Sequence, residues 1–154
     1  MKTVKEILQV KGYDTWSVAP DVPVYDALKL MADKNVGAVL VIDAGNLVGI
    51  MSERDYARKV ILKGKSSKEI LVREIMTEKV LCVRPDQTIK ECMVLMTDKR
   101  VRHLPILEDD RLIGVISIGD VVNSIISEQE YVIERLGAYI WGGTLLPRKP
   151  DSSS

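Results

Sequence analysis

The strongest constraint on this chain is that it repeats itself. Slid along itself by 65 positions, residues 18–56 lie on residues 83–121 without a gap, and 12 of the 39 pairs are identical. Ordinary residue frequencies would give about two or three. The matches run from Val18/Val83, Pro20/Pro85 and Asp21/Asp86, through Leu30/Leu95, Met31/Met96, Asp33/Asp98 and Lys34/Lys99, to Leu47/Leu112. Each copy closes on the same pattern. The first reads Gly49-Ile50-Met51-Ser52-Glu53-Arg54-Asp55 and the second Gly114-Val115-Ile116-Ser117-Ile118-Gly119-Asp120. Such a chain folds as two copies of one supersecondary unit. A unit of ~40–60 residues is too small to close a good core alone, so the halves must share burial.

Within a copy the hydrophobic period changes in a fixed order. Trp16-Ser17-Val18 and Leu81-Cys82-Val83 read as short strands, each followed by a Pro-Asp turn. Val24, Ala27, Leu28 and Met31 recur at helical spacing up to Lys34, and the second copy predicts a helix from Thr88 to Lys99. Ala38 to Ile42 is a continuous apolar run of strand length, which implies burial on both faces. His103 to Leu107 is its counterpart. A turn and a second strand follow each, Leu47 to Met51 and Arg111 to Ser117. Helices then begin at Glu53 and Ile118, the former with Tyr56, Val60 and Ile61 on one side. The fold class is α/β (α+β): two β-α-β-β-α units packed sheet to sheet about a pseudo-two-fold axis. Residues 1–70 form the first unit with a leading helix carrying Val4, Ile7 and Leu8. Residues 71–141 form the second, and 142–154 a disordered tail. In the last helix, Val121, Val122, Ile125, Ile126, Val132, Ile133, Leu136 and Ile140 continue an apolar stripe that favours a homodimer.

Composition excludes several functions. Lys plus Arg and Asp plus Glu number 22 each, so no net charge draws the chain to nucleic acid or to an anionic membrane. No apolar run reaches the ~18 residues of a membrane span, and the first residues lack a secretory apolar core. Cys82 and Cys92 are spaced as two reduced thiols, which suits a reducing, cytoplasmic setting. With His103 the single histidine, a four-ligand zinc site has too few donors. Gly64-Lys65-Ser66 imitates the end of a phosphate-binding P-loop, but Lys59 stands where its first glycine is required and a helix precedes it. No Gly-x-Gly-x-x-Gly is present.

The repeated corner has two readings. Serine with aspartate three residues on, where a strand enters a helix, is a helix cap. The same arrangement also holds a polar ligand: hydroxyl and amides suit phosphate, and an accepting carboxylate suits the adjacent hydroxyls of a ribose. Repetition in register favours the ligand. Of the basic residues Arg54, Arg58, Lys59, Lys63, Lys65 and Lys68, only Arg54 lies inside the motif, and the rest read as a solvated face. Arg102 presents a fork that matches phosphate beside His103. Trp16 suits either the core or a wall for a stacked base.

These residues carry a family resemblance. The two Gly-x-x-Ser-x-x-Asp corners, the run Val101-Arg102-His103-Leu104-Pro105-Ile106 and the lead-in Glu74-Ile75-Met76-Thr77 resemble a CBS domain, the cystathionine-β-synthase-type module. Over residues 4–138 the chain resembles a CBS pair, or Bateman module. Ser52 to Lys59 with Gly64-Lys65-Ser66-Ser67 resemble the stand-alone proteins of bacteria and plant organelles. The resemblance implies two inter-unit clefts for adenosine ligands such as AMP, ADP, ATP, NAD(H) or S-adenosylmethionine. One cleft would join Ser117, Asp120, Arg102 and His103 to Lys11, Asp14, Trp16, Gly37 and Ala38. The other would join Ser52, Arg54 and Asp55 to Met76, Thr77 and Leu81. Asp55 and Asp120 would take ribose. Gly37 and Ala38 stand in the first unit where Arg102 and His103 stand in the second, so the clefts should differ.

The expected function is a regulatory nucleotide sensor without catalysis, acting on an unidentified partner enzyme. The residues offer no nucleophile–base set and no metal cluster, which weighs against an enzyme. A structural dimerisation domain with vestigial clefts is the alternative.

Overall fold

The structure, a computed structural model, describes residues 2–128. It begins with helix α1 (Val4–Lys11). The first unit follows as β1 (Ser17–Val18), α2 (Val24–Lys34), β2 (Ala38–Asp43), β3 (Asn46–Ser52) and α3 (Glu53–Tyr56), which runs on into a π-helical turn, Ala57–Ile61. After a connector come α4 (Val72–Ile75) and the second unit: α5 (Ile89–Lys99), β4 (His103–Glu108), β5 (Arg111–Ser117) and α6 (Ile118–Glu128). The apolar positions Val132, Ile133, Leu136 and Ile140, with the expected helix end and tail, lie outside the described residues.

The duplication is visible bond by bond. β2 and β3 pair antiparallel with Ala38 opposite Ser52, and β4 and β5 pair with His103 opposite Ser117. Each hairpin turns in two residues of positive φ, Ala44 and Gly45 in one and Asp109 and Asp110 in the other. Left-handed backbone at both loop positions matches the twist of the strands. The helices α2 and α5 both stop on a left-handed residue, Asn35 and Arg100, which share one place in the repeat.

One expected strand is reduced. β1 runs parallel to β2, and the Leu40 N–H donates to the Trp16 carbonyl at 2.9 Å. At the same place in the second unit stands Pro105, which has no N–H to give. Leu81 and Cys82 therefore do not join a sheet, and only Val83 bridges to Ile106. Among the described residues the first sheet has three strands and the second two. A smaller correction concerns Ile61. Leu62 N–H bonds back five residues to Ala57 O, and this wider turn shifts the phase of the helix. Val60 is fully buried while Ile61 is 56% exposed.

The lead-in segments cross between the units. α1 puts Val4, Ile7 and Leu8 into the core of the second unit, with Val83, Cys92, Met96, Leu104, Ile106 and Ile116. α4 puts Val72 and Ile75 into that of the first, with Val24, Met31, Val39, Val41 and Met51. Corresponding bonds anchor both. Val4 N–H donates to Gln87 O and Lys5 N–H to Pro85 O, both at 2.9 Å. Val72 N–H donates to Val22 O and Arg73 N–H to Pro20 O, both at 2.9 Å. Burying a side chain such as Leu8 or Val72 contributes about 1.5–3 kcal/mol.

Candidate functional site

The strand glycine of each motif follows from this crossing. A Cβ on Gly114 would stand 2.8 Å from Leu8 Cδ2. On Gly49 it would stand 2.6 Å from Met76 Sδ and 3.1 Å from the Thr77 carbonyl. Neither glycine has positive φ, so close approach and not backbone conformation demands them. The crossing segments thereby reach the ends of β3 and β5, where the serine and aspartate lie.

Both corners are capping boxes. Ser52 N–H donates to Asp55 Oδ2 at 2.9 Å, and Asp55 N–H donates back to Ser52 Oγ at 3.2 Å. Ser117 N–H donates to Asp120 Oδ2 at 2.8 Å, and Asp120 N–H to Ser117 Oγ at 3.2 Å. The cap reading is therefore correct for both. It holds each carboxylate in one orientation, as a ligand-binding group requires.

What surrounds the carboxylates differs. At the second corner Lys11, at the end of α1, places Nζ 2.6 Å from Asp120 Oδ2 and 2.7 Å from the Val115 carbonyl. Asp120 Oδ1 takes no hydrogen bond among the described residues. Burial would raise the Asp120 pKa, but the Lys11 hydrogen bond, the Ser117 amide and the Lys11 charge together hold it below the usual carboxylate value. His103 is half-buried in the same setting: desolvation, then the Lys11 charge and more weakly Arg102, lower its pKa against the pull of Asp120. Its ring also faces the other unit, with Cε1 3.5 Å from the Cβ position of Gly37. The second corner thus gathers Ser117, Asp120, His103, Arg102, Lys11 and Gly37.

At the first corner every acceptor position of Asp55 is in use. Oδ2 accepts from the Ser52 amide and hydroxyl. Oδ1 accepts from Lys59 Nζ at 3.1 Å and from the Thr77 hydroxyl at 3.4 Å. Lys59 Nζ also bonds the Ile75 carbonyl, at 2.8 Å, so each corner has a lysine that ties the aspartate to a backbone carbonyl. Thr77 pairs with Ile50 through two backbone hydrogen bonds of 2.9 and 3.0 Å.

Several expected residues stand elsewhere. Arg54 does not turn to its own corner. Its Nη1 donates to Arg100 O at 3.4 Å, where α5 ends and its carbonyls lack helical partners. Trp16 packs on the first core with the Lys34 ammonium 4.4 Å from its ring centre, so one face is covered. Leu81 packs on the second core. Ala38 faces Ser52 in its own sheet. Asp14 is exposed in the loop after α1. Lys59 was missed, and its signal was its place four residues after Asp55 on a helix. Cys82 and Cys92 are free thiols, and burial, then the Glu91 charge, push Cys92 up to about 11. Among the described residues no acidic, histidine or cysteine group could hold a metal ion, and no helix is long and apolar enough to cross a membrane.

A β-α-β-β-α unit and its copy reduced to α-β-β-α, with exchanged lead-in segments and paired serine–aspartate corners, define a tandem-repeat module. The comparisons agree. A family model for the CBS domain matches residues 4–61 and 72–127, and the chain belongs to the CBS-domain family as a CBS pair. It is 43% identical over 151 residues to the CBS domain-containing protein CBSX3, mitochondrial, of Arabidopsis thaliana, covering 92% of this chain and 73% of that one. The solved structure of a protein with CBS domains from Burkholderia ambifaria is 52% identical with a TM-score of 0.81, over 83% of this chain and 96% of that chain. At 23% identity and a TM-score of 0.72, the CBS domain pair of protein MJ0100 shares the fold over 83% of this chain and 98% of its own; that protein was solved with 5′-methylthioadenosine and S-adenosyl-L-methionine.

Proposed function

We propose that the chain is a non-catalytic sensor that binds an adenosine ligand, AMP, ADP, ATP or NAD(H), at the corner of Ser117 and Asp120. The carrying observation is the half-open Asp120 carboxylate. Its Oδ1 is available to a ribose hydroxyl while its orientation is held by the cap. Arg102, His103 and Lys11 beside it supply donors for phosphate. The first corner is the weaker site. A ribose there must displace Lys59 and Thr77 from Asp55, and no arginine or histidine from Gly37 and Ala38 replaces them. Binding at the second corner would be felt by α1, since Lys11 belongs to it, and a partner enzyme would read the change. The free thiols suit work in a reducing compartment, the cytoplasm or an organelle matrix.

The test is a melting panel of AMP, ADP, ATP, NAD, NADH and S-adenosylmethionine. A ligand at 100 times its Kd stabilises the folded chain by ~2.7 kcal/mol. Asp120→Ala should remove more of the response than Asp55→Ala. No stabilisation by any of the six refutes the sensor reading.

A second reading, assembly through a copy of itself, is favoured by α6. Val122 and Ile126, one turn apart, are 41% and 40% exposed. Light scattering should show a dimer that Ile126→Glu separates. A wild-type monomer at micromolar concentration would refute it.

A further inference from the structure

We propose that Lys11 is an exchangeable counter-ion that makes the second cleft select phosphorylated adenosine ligands over uncharged and cationic ones. This rests on the sensor reading above and names its ligand class. The ribose diol engages a carboxylate best through both oxygens. Oδ1 of Asp120 is open, but the outer side of Oδ2 is held by Lys11 at 2.6 Å. A diol that reaches both oxygens therefore moves the ammonium off Asp120. The side chains of Lys11 and Asp120 are 33% and 21% exposed, so the separated charges are only partly returned to water. Lys11 then retains the Val115 carbonyl and needs an anion. Arg102 is a second cation, and His103, desolvated and beside Lys11, is held toward its neutral form; among the charges that act on His103, Asp120 is the one anion. With Asp120 turned to ribose, Lys11 has lost its direct ion pair and stands with Arg102 as two cations against that single carboxylate.

A 5′-phosphate answers both charges with strong charge-assisted hydrogen bonds. Adenosine leaves Lys11 unpaired. S-adenosylmethionine puts a sulfonium where AMP has its 5′-phosphate and keeps a net positive charge despite its carboxylate, so it meets the two cations less favourably. The order of affinity is therefore AMP, then adenosine, then S-adenosylmethionine. The first cleft discriminates less: a ribose on Asp55 frees Lys59 in the same way, but Arg54 is turned to Arg100 and Gly37 and Ala38 stand in place of Arg102 and His103, so the motif adds no second cation there.

Isothermal titration with AMP, adenosine and S-adenosylmethionine tests this on the full chain, in wild type, Lys11→Met and Lys11→Arg. AMP should bind wild type at least about tenfold tighter than adenosine, the worth of one charge-assisted hydrogen bond. Added salt should narrow the gap. Lys11→Met should bring the two affinities within about threefold by weakening AMP while adenosine is unchanged or tighter, because Asp120 has lost its competitor. Lys11→Arg should restore the preference. A merely structural Lys11 would weaken both ligands together. Equal wild-type affinities, or a preference that survives Lys11→Met, overturns the proposal while leaving the sensor reading intact. No binding of any of the three overturns the proposal, and the six-ligand melting panel decides the sensor reading separately. If Lys11→Met melts early, Lys11→Gln gives the same comparison.

Discussion

Replacing Gly114 by alanine measures how tightly a crossing segment is pressed onto the ligand corner. The added methyl would stand 2.8 Å from Leu8 Cδ2 and 3.4 Å from Cδ1. Carbon atoms rest at about 3.5–4.0 Å, so the overlap is close to 1 Å. Leu8 is 1% exposed and enclosed by the second core, and α1 is held by backbone bonds to Pro85 and Gln87. The helix has little room to yield. Overpacking of this kind costs about 1–3 kcal/mol. The lost glycine freedom returns about 0.5–1 kcal/mol, leaving a net loss of up to about 2.5 kcal/mol. Leu8→Ala alone should cost about 2–5 kcal/mol through its cavity. In that background Gly114→Ala should stabilise by about 0.5–1 kcal/mol, because the clashing methyls are gone and only the glycine term remains. The coupling energy is then the clash itself, about 1–3 kcal/mol. Urea titrations of the four proteins, with unchanged slope, give the cycle. A Gly114→Ala cost that is the same in both backgrounds would refute the contact as the reason for the glycine. Gly49→Ala should cost at least as much, since the Met76 tip can turn away but the Thr77 carbonyl, 3.1 Å off, is fixed by its pairing with Ile50.

Acidification should destabilise the fold in two windows. The unfolded chain protonates His103 first, near 6.5, while the folded chain resists, so stability falls as pH drops below that value and levels off once folded His103 is protonated. Asp120 gives a second loss below its unfolded value of about 3.8, as pH falls through its lower folded value. In urea titrations across pH, His103→Gln should erase the first window only, and an unchanged profile would contradict the burial of its ring. Arg100→Gly should stabilise by about 1 kcal/mol, since a left-handed residue at a helix end is strained with a side chain and the Arg100 carbonyl remains for Arg54; a destabilised variant would show that the Arg100 side chain matters more. Cys92, 0% exposed with its thiol pushed up to about 11, should resist alkylation at neutral pH until urea unfolds the chain, and prompt native labelling would show that the second core opens.

Much of this protein is determined by its sequence because the information is local or repeated. The helix α2, the apolar strand β2, both hairpins and the serine–aspartate caps depend on residues within a few positions of one another, and the 65-residue repeat shows that each occurs twice. Comparing Gly37 and Ala38 with Arg102 and His103 predicts that the two corners differ. Tertiary structure decided what lies across the chain. Leu8 and Met76 meet Gly114 and Gly49 only because each lead-in segment crosses to the other unit, and nothing in a strand pattern records that pressure. Pro105 shortened a sheet because the hydrogen bond it removes belongs to a residue over twenty positions away. Arg54 and Lys59 exchanged their expected roles for the same reason. A long basic side chain goes to whichever carbonyl or carboxylate the fold brings near, and here the end of α5 drew one while Asp55 and the end of α4 held the other. Lys11 is the sharpest case: its 109-residue separation from Asp120 closes only when α1 packs on the second core, and that contact sets the charge a ligand meets.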